Sequence, residues 1–204
     1  MIKGERVYLM PFNDLSLLLV QKWHEDEWFD DVMSGERGPK SSVDIKNLYQ
    51  GFMAPHGRLF VVCIKPSEIM DKASIDALNP SQKEKIDELI QVGVVALTNI
   101  DMKNRKAEIY GGIGDKTLRE KGLGIDTIQV MVKWARKELG LHRIYAYVKE
   151  HNQIAINSIK TAGFTLECMM KDACYQDGKF INKAMLACTP KEIKDKAGNI
   201  YYAS

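Results

Sequence analysis

No apolar run in the 204 residues is long enough to cross a bilayer as a helix. The opening residues, Met1-Ile2-Lys3-Gly4-Glu5-Arg6, lack the apolar stretch and small-residue cleavage site of a secretory leader. Cysteine is scarce: Cys63, Cys168, Cys174 and Cys188 form no CxxC pair, and no histidine stands at zinc-finger distance from them. This pattern excludes a recognisable zinc module or disulfide framework. It leaves four small, buried apolar side chains in a reducing compartment as the expectation. An excess of charge of one sign is missing as well. Lys and Arg number 29 against 27 Asp and Glu, a formal net charge of +2, without the basic surplus of a dedicated nucleic-acid binder. No internal repeat or low-complexity segment is present. These absences predict a cytoplasmic globular protein without a membrane, nucleic-acid or metal partner.

What is present is an ordinary globular composition, 45% apolar and 27% charged, in a chain long enough for one good-sized core. Residues 5–12 alternate as a strand. Asn13 and Asp14 then offer an N-cap, and Leu15, Leu18, Leu19 and Trp23 recur at helical spacing. A second short helix is predicted over 42–52. Residues 58–65 (RLFVVCIK), 91–101 and 104–114 read as strands, the last two joined by a turn at Met102-Lys103-Asn104. The polar stretch 66–90 breaks the rhythm and reads as an insertion, with helical character over 81–90. Residues 123–139 form the clearest helix: Ile128, Met131, Val132, Ala135 and Leu139 share one face, and Gly140 stops it. A strand over 143–149 and a helix over 152–162, closed by Gly163, follow. Strands over 164–174 and 180–188 are joined through Asp177-Gly178, a hairpin signal. One domain is expected over 1–188, with 189–204 a polar tail or an added edge strand that would permit a homodimer. Strand, two helices, three strands, helix, strand, helix and two strands imply a mixed sheet of α/β or α+β type.

The chemically informative segment runs Gly111-Gly112-Ile113-Gly114-Asp115-Lys116-Thr117-Leu118-Arg119-Glu120-Lys121-Gly122-Leu123-Gly124. A strand ends here and a long helix begins at glycines. Main-chain N–H groups at a helix start are unpaired, the helix dipole is positive there, and glycine lets a phosphate reach the backbone. The segment therefore suits a pyrophosphate. It lacks the glycine spacing of a Rossmann turn and the Gly-Lys-Ser/Thr of a P-loop. Glycines also cap and turn, so a purely structural loop is the competing reading.

Arg119-Glu120-Lys121-Gly122-Leu123-Gly124 resembles the Q/R-x-x-G-x-G/A coenzyme A signature of the GNAT superfamily of N-acetyltransferases. Asn152-Gln153-Ile154-Ala155 through Gly163-Phe164 is similar to the N-x-x-A…G-F helix of the same superfamily. Tyr175-Gln176-Asp177-Gly178-Lys179-Phe180 resembles the hairpin that follows in its branch of ribosomal-protein and small-molecule acetyltransferases, and residues 94–100 and Ala107-Glu108-Ile109 fit that branch too. The likeness covers residues 5–186 apart from the insertion. It implies a GNAT-like fold, a central mixed, splayed sheet of about seven strands flanked by helices, with acetyl-CoA as co-substrate. It also implies that Gly112, Ile113 and Gly114 pair with the pantetheine arm, that the amides of Arg119, Glu120, Lys121, Gly122, Leu123 and Gly124 hold the pyrophosphate, and that Asn152 orients the thioester.

Acetyl transfer to an amine needs a base, because an alkylammonium has no lone pair. It also needs a donor for the oxyanion, for which a main-chain N–H near Ile113 is suited. Glu108, on the strand leading into the loop, is the first choice of base, with Tyr110 two residues on along the same face. A strand glutamate paired with a neighbouring cation is the alternative. The superfamily often carries a tyrosine proton donor where this chain has Ile159, so that role falls to Tyr110, Tyr175 or solvent. The run His24-Glu25-Asp26-Glu27-Trp28-Phe29-Asp30-Asp31 packs carboxylates around aromatics. Glu25, Glu27 and Trp28 are candidates to attract a cationic amine acceptor, such as a polyamine or a peptide N-terminus. A solvated helix end is the alternative. No cysteine stands in a nucleophile constellation, which points to direct attack in a ternary complex. A non-catalytic acyl-CoA sensor is the rival function.

Overall fold

A computed structural model describes residues 1–35, 39–53, 55–194 and 200–202. The chain begins with β1 (Ile2–Lys3) and β2 (Tyr8–Pro11), then α1 (Asp14–Trp23), α2 (Glu27–Ser34) and α3 (Ser42–Met53). Next come β3 (Arg58–Ile64), the short helices α4 (Lys72–Asp76) and α5 (Pro80–Lys85), β4 (Ile90–Asp101) and β5 (Lys106–Ile113). The remainder is α6 (Leu123–Leu139), β6 (Arg143–Lys149), α7 (Gln153–Thr161), β7 (Thr165–Gln176), β8 (Lys179–Cys188), β9 (Glu192–Lys194) and β10 (Ile200–Tyr202). One mixed sheet of eight strands runs β1-β2-β3-β4-β5-β6-β8-β7, flanked by helices. All its neighbours are antiparallel except β5 and β6.

The architecture is the expected class, with one strand more than seven because residues 1–12 form two short strands instead of one. The reason is local. The N–H groups of Glu5, Arg6 and Val7 leave the strand ladder and donate to the Asp126 carboxylate on α6, at 3.0, 2.7 and 2.9 Å. Helix α2 is the larger departure, since only two helices are expected before β3. Its sequence, EWFDDVMS, reads as a charge run, yet Asp26 caps its first turn by accepting from Phe29 N–H. Gly35 ends it in the left-handed region at φ 71°, and Phe29 and Met33, one turn apart, bury against the sheet. The 66–90 stretch holds a 3-10 turn (Pro66–Glu68), α4 and α5 before β4 opens at Ile90, so the helix expected over 81–90 stops at Lys85. Because β3 and β4 pair directly from Arg58↔Leu97 to Ile64↔Ile90, it is an elaborated hairpin connection. β10 pairs with β9 and not with the eight-stranded sheet; of the 189–204 segment, residues 195–199 and 203–204 lie outside the described residues.

Two cores sandwich the sheet. On one face, Leu123, Met131 and Ala135 of α6 and Ile156 and Ile159 of α7 pack on Val95, Leu97, Ile109 and Ile144. On the other, Trp23, Phe29, Tyr49 and Phe52 from α1, α2 and α3 pack on Val94 and Ala96. Alternate residues of β4 thus serve opposite cores, which explains its near-continuous apolar run. All four cysteines sit in strands and are free; Cys63 is buried, which pushes its thiol up to about 11, whereas Cys168 is exposed, contrary to expectation. Among the described residues no helix is long and apolar enough to cross a membrane.

Asp126 is 7% exposed and accepts three main-chain N–H groups across more than a hundred residues of sequence. Replacing it by Ala strands those donors. Asp126→Ala is expected to lose about 2–3 kcal/mol of stability, read as a lowered urea midpoint with an unchanged slope.

Candidate active site

β5 and β6 pair at Lys106↔Arg143, Ala107↔Ile144 and Glu108↔Tyr145 and no further. Beyond Glu108, β5 stays with β4 while β6 stays with β8, and the sheet opens. Strand main-chain groups come in two rows, one per edge. From Ile109 onward the row of β5 that faces β6 therefore has no strand to bond. A cleft of about 490 Å3 fills the opening, a volume suited to a small-molecule site. Its walls are β5 (Ile109–Ile113), the start of α6, Tyr147 to Lys149 of β6, Asn152 and Ile159 at α7, and Trp28, Asp31 and Val32 of α2.

The loop after β5 bends into α6 through residues forced into the left-handed region, Glu120 at φ 61° and Gly122 at φ 78°. Gly122 is the α6 N-cap and has no side chain to fill the first amides. Ile125 and Asp126 N–H donate to Gly122 carbonyl at 3.1 and 3.2 Å. Among the described residues, the N–H groups from Glu120 to Gly124 find no acceptor within the protein. A Cβ on Gly124 would meet nothing within 4 Å, so packing does not require glycine there. The open space lies over the free amides, where a ligand phosphate would approach. The Arg119 side chain does something else. It donates from Nε to Ile113 carbonyl and from Nη2 to Gly114 carbonyl, both at 3.0 Å, pairs through Nη1 with Asp26 at 2.8 Å, and lies 4.3 Å from the Trp28 ring centroid. The guanidinium braces the loop against α2 and the Arg119 N–H turns back to the Lys116 carbonyl at 3.4 Å, so the pyrophosphate contact expected of this residue falls to the amides from Glu120 onward.

Glu108 stands at the vertex where the strands part, 9% exposed, opposite Thr98 on β4 and Tyr145 on β6. The β4–β5 register breaks after Thr98, and Asn99 there adopts φ 51° and donates from Nδ2 to Glu108 Oε2 at 3.0 Å. The bulge thus aims a side chain at the carboxyl. Burial pushes the Glu108 carboxyl above its usual value, opposed by the Asn99 hydrogen bond and the Lys183 charge. Glu108 does not itself line the cleft; Tyr110 and Lys183, beside it, do. Burial, with the Glu108 and Asp31 charges, raises the Tyr110 hydroxyl and keeps it protonated. Tyr175, the other tyrosine candidate, is 65% exposed against Phe180 and outside the cleft. Asn152 Oδ1 caps α7 by accepting from Ala155 N–H at 3.1 Å, while its Nδ2 makes no hydrogen bond among the described residues at the cleft wall.

The acidic run is mostly spent within the protein. Asp26 pairs with Lys116 and Arg119; burial opposes its ionisation, but those bonds and Phe29 N–H hold its carboxyl below the usual range. Asp30 bonds His24 Nδ1 at 2.6 Å and Lys40 Nζ at 2.7 Å under α2, where burial pulls the His24 imidazole below its usual value. Asp31 accepts from Lys149 Nζ and Gln176 Nε2, each at 2.7 Å, tying α2 across the cleft to β6 and the β7–β8 hairpin. Glu25 and Glu27 stay exposed and outside the cleft lining, whereas Trp28 lines it. Asn99, Asp31 and Lys149 escape sequence reasoning. The acidic run was the one available signal, and it pointed at the charge and not at the partner.

Among the described residues the sheet is split at its one parallel pair, with a glycine-led helix start at the split, an arrangement suited to an extended ligand that carries phosphates. The family model described as "Acetyltransferase (GNAT) domain" matches residues 82–185, just over half of the chain, and the chain belongs to that family. Among solved structures, spermidine N-acetyltransferase from Vibrio cholerae in complex with CoA and spermine superposes with a TM-score of 0.71 at 18% identity, over 91% of this chain and 96% of that one. An acetyltransferase (GNAT family) from Bacillus anthracis gives 0.70 at 18% identity, over 92% and 97%. At such identity these are statements of shared fold. No curated protein sequence matches the chain. Among the described residues no group of three or more His, Cys, Asp or Glu side chains is placed to hold a metal ion.

Two outcomes follow for this site. Gly124→Leu should fold, since the added Cβ meets nothing within 4 Å, and should abolish the melting-point rise given by CoA. Glu108 binds its proton at higher pH than a free glutamate, so a rate that needs its carboxylate falls as pH falls through that raised pKa. The acid limb of kcat/KM is expected above the ordinary value of about 4.3, and Glu108→Gln should lower kcat about 10²–10⁴-fold and remove the limb.

Proposed function

We propose that the chain transfers the acetyl group of acetyl-CoA to a primary amine by direct attack in a ternary complex. One observation carries the reading: an unpaired strand edge and a row of unfilled helix-start amides face the same cleft. The residues present fit the co-substrate. The β5 edge at Gly112 and Ile113 offers main-chain groups to a pantetheine arm, as an added strand would; Gly114, expected to join them, lies past β5 with its N–H given to Val92 and its carbonyl to Arg119, and takes no part. The amides from Glu120 to Gly124 offer donors to a pyrophosphate, and Asn152 Nδ2 offers one at the facing wall. Bound there, acetyl-CoA supplies the acetyl group as a thioester that an amine can attack.

The remaining work belongs to this chain. Glu108 is set back from the cleft, so it takes the amine proton through a water beside Tyr110. Tyr110, held protonated, can return a proton to the departing thiolate. Ile159 cannot, although it lines the cleft where the superfamily often has tyrosine. Much of the acceleration then comes from holding the two substrates together. Trp28 borders the acceptor side, and Glu25 and Glu27 remain free on the adjacent turn for an acceptor with a second cationic group. Because the Vibrio cholerae neighbour is a complex with spermine, polyamines are the first acceptors to try, with peptide N-termini next.

Ile159 also favours a second reading, a sensor that binds acyl-CoA without turnover. Both readings require acetyl-CoA to raise the melting midpoint, by an amount set by its concentration over Kd. They part in a thiol-release assay against polyamines, small amines and peptides. Release that depends on the amine establishes the enzyme; binding without release establishes the sensor. No melting shift would remove both.

A further inference from the structure

A second concavity lies away from the cleft, where the last turns of α6 meet the β4–β5 turn and the end of β8. It encloses about 1240 Å3. Lys103 and Arg105 enter it from the turn, Lys133, Arg136 and Lys137 from α6, and Lys191 from the segment after β8. No Asp or Glu among the described residues lines it. Two acids outside the lining bond residues within it: Glu138 pairs with Lys137 at 3.4 Å, and Asp101 accepts from Asn104 N–H and Nδ2 at 2.9 and 2.6 Å. Six cations without a carboxylate is a marked concentration in a chain whose Lys and Arg exceed its Asp and Glu by 29 to 27.

A helix C-terminus attracts cations, which accounts for Arg136 and Lys137. It does not account for Lys103, Arg105 and Lys191, which converge from other segments. Arg105 holds φ 49°, and its carbonyl accepts from His142 N–H at 2.8 Å and Arg143 N–H at 3.0 Å, fixing this residue at the rim. Arg136 carries the independent observation. Its Nη2 donates to the Cys188 sulfur at 3.1 Å and its Nε is buried without an acceptor, while its Nη1, at the groove wall, makes no hydrogen bond among the described residues and is the donor that a ligand can reach. A guanidinium with unfilled donors lining a groove of cations is short of an anion, and its fork geometry matches phosphate.

We propose that this groove binds a ligand carrying several phosphate groups, independently of the coenzyme cleft. The shared chemistry has two sources, a free oligophosphate and the phosphodiester backbone of a short RNA strand. Titration of the full chain with inorganic tripolyphosphate and with a single-stranded 12-mer oligouridylate, by calorimetry at low salt, distinguishes them. At least one should bind, with affinity falling as salt rises. The double variant Lys103→Glu/Lys133→Glu and the single variant Arg136→Met should each weaken it at least tenfold. The distant Lys72→Glu/Lys85→Glu, of equal net charge change to the double variant, should not. Gly124→Leu should leave it intact, which separates this groove from the amides of the cleft and keeps the test valid whether or not the chain binds CoA. Binding of neither probe, equal loss in the distant variant, or loss in Gly124→Leu would each overturn the proposal.

Discussion

Everything at the site depends on one interrupted ladder. A parallel strand pair is held by hydrogen bonds along its whole length, yet β5 and β6 share only three residue pairs before separating. The energy of the missing bonds has to be recovered elsewhere. Two full cores hold the halves, each strand remains paired on its outer side, and the Asp31–Lys149 and Asp31–Gln176 bonds span the gap from α2. What the split leaves is a strand edge inside the molecule, where it can recognise an extended ligand without offering a sticky outer edge to other proteins.

The groups around that edge are set by neighbours remote in sequence. Asp26 begins α2, and the same carboxylate grips Lys116 and Arg119 of the loop. Arg119 in turn fills the carbonyls of Ile113 and Gly114. The cation most readily taken for a phosphate ligand is thus occupied in shaping the turn, and the donors left unfilled at the helix start are neutral amides, which carry no counter-ion and need no side-chain ordering. A similar economy holds at the vertex, where a bulge at Asn99 sets the hydrogen bond of Glu108.

Much of the fold was legible. The 123–139 helix, the 143–149 strand and the Asp177-Gly178 hairpin follow from periodicity and turn chemistry, and the structure places them within a residue or two. Helix α2 was hidden because it is only eight residues long with three of them acidic, and only its flanking Asp26 and Gly35 marked it. The N-terminal strand was over-read because sequence alternation does not show that Asp126, far along the chain, captures its amides. The loop amides could be read as candidates, since glycine spacing at a helix start is a local signal. The neutralisation of Asp26, Asp30 and Asp31 could not, because each partner is supplied by tertiary packing.

The bond from residues 5–7 to Asp126 has a kinetic side. It closes a loop of some 120 residues, and such closures are entropically slow to form. The first turn of α6 therefore receives its N-terminal support only after the sheet between has assembled. The helix start at the cleft is thus steadied by a segment that leaves the ribosome well over a hundred residues ahead of it.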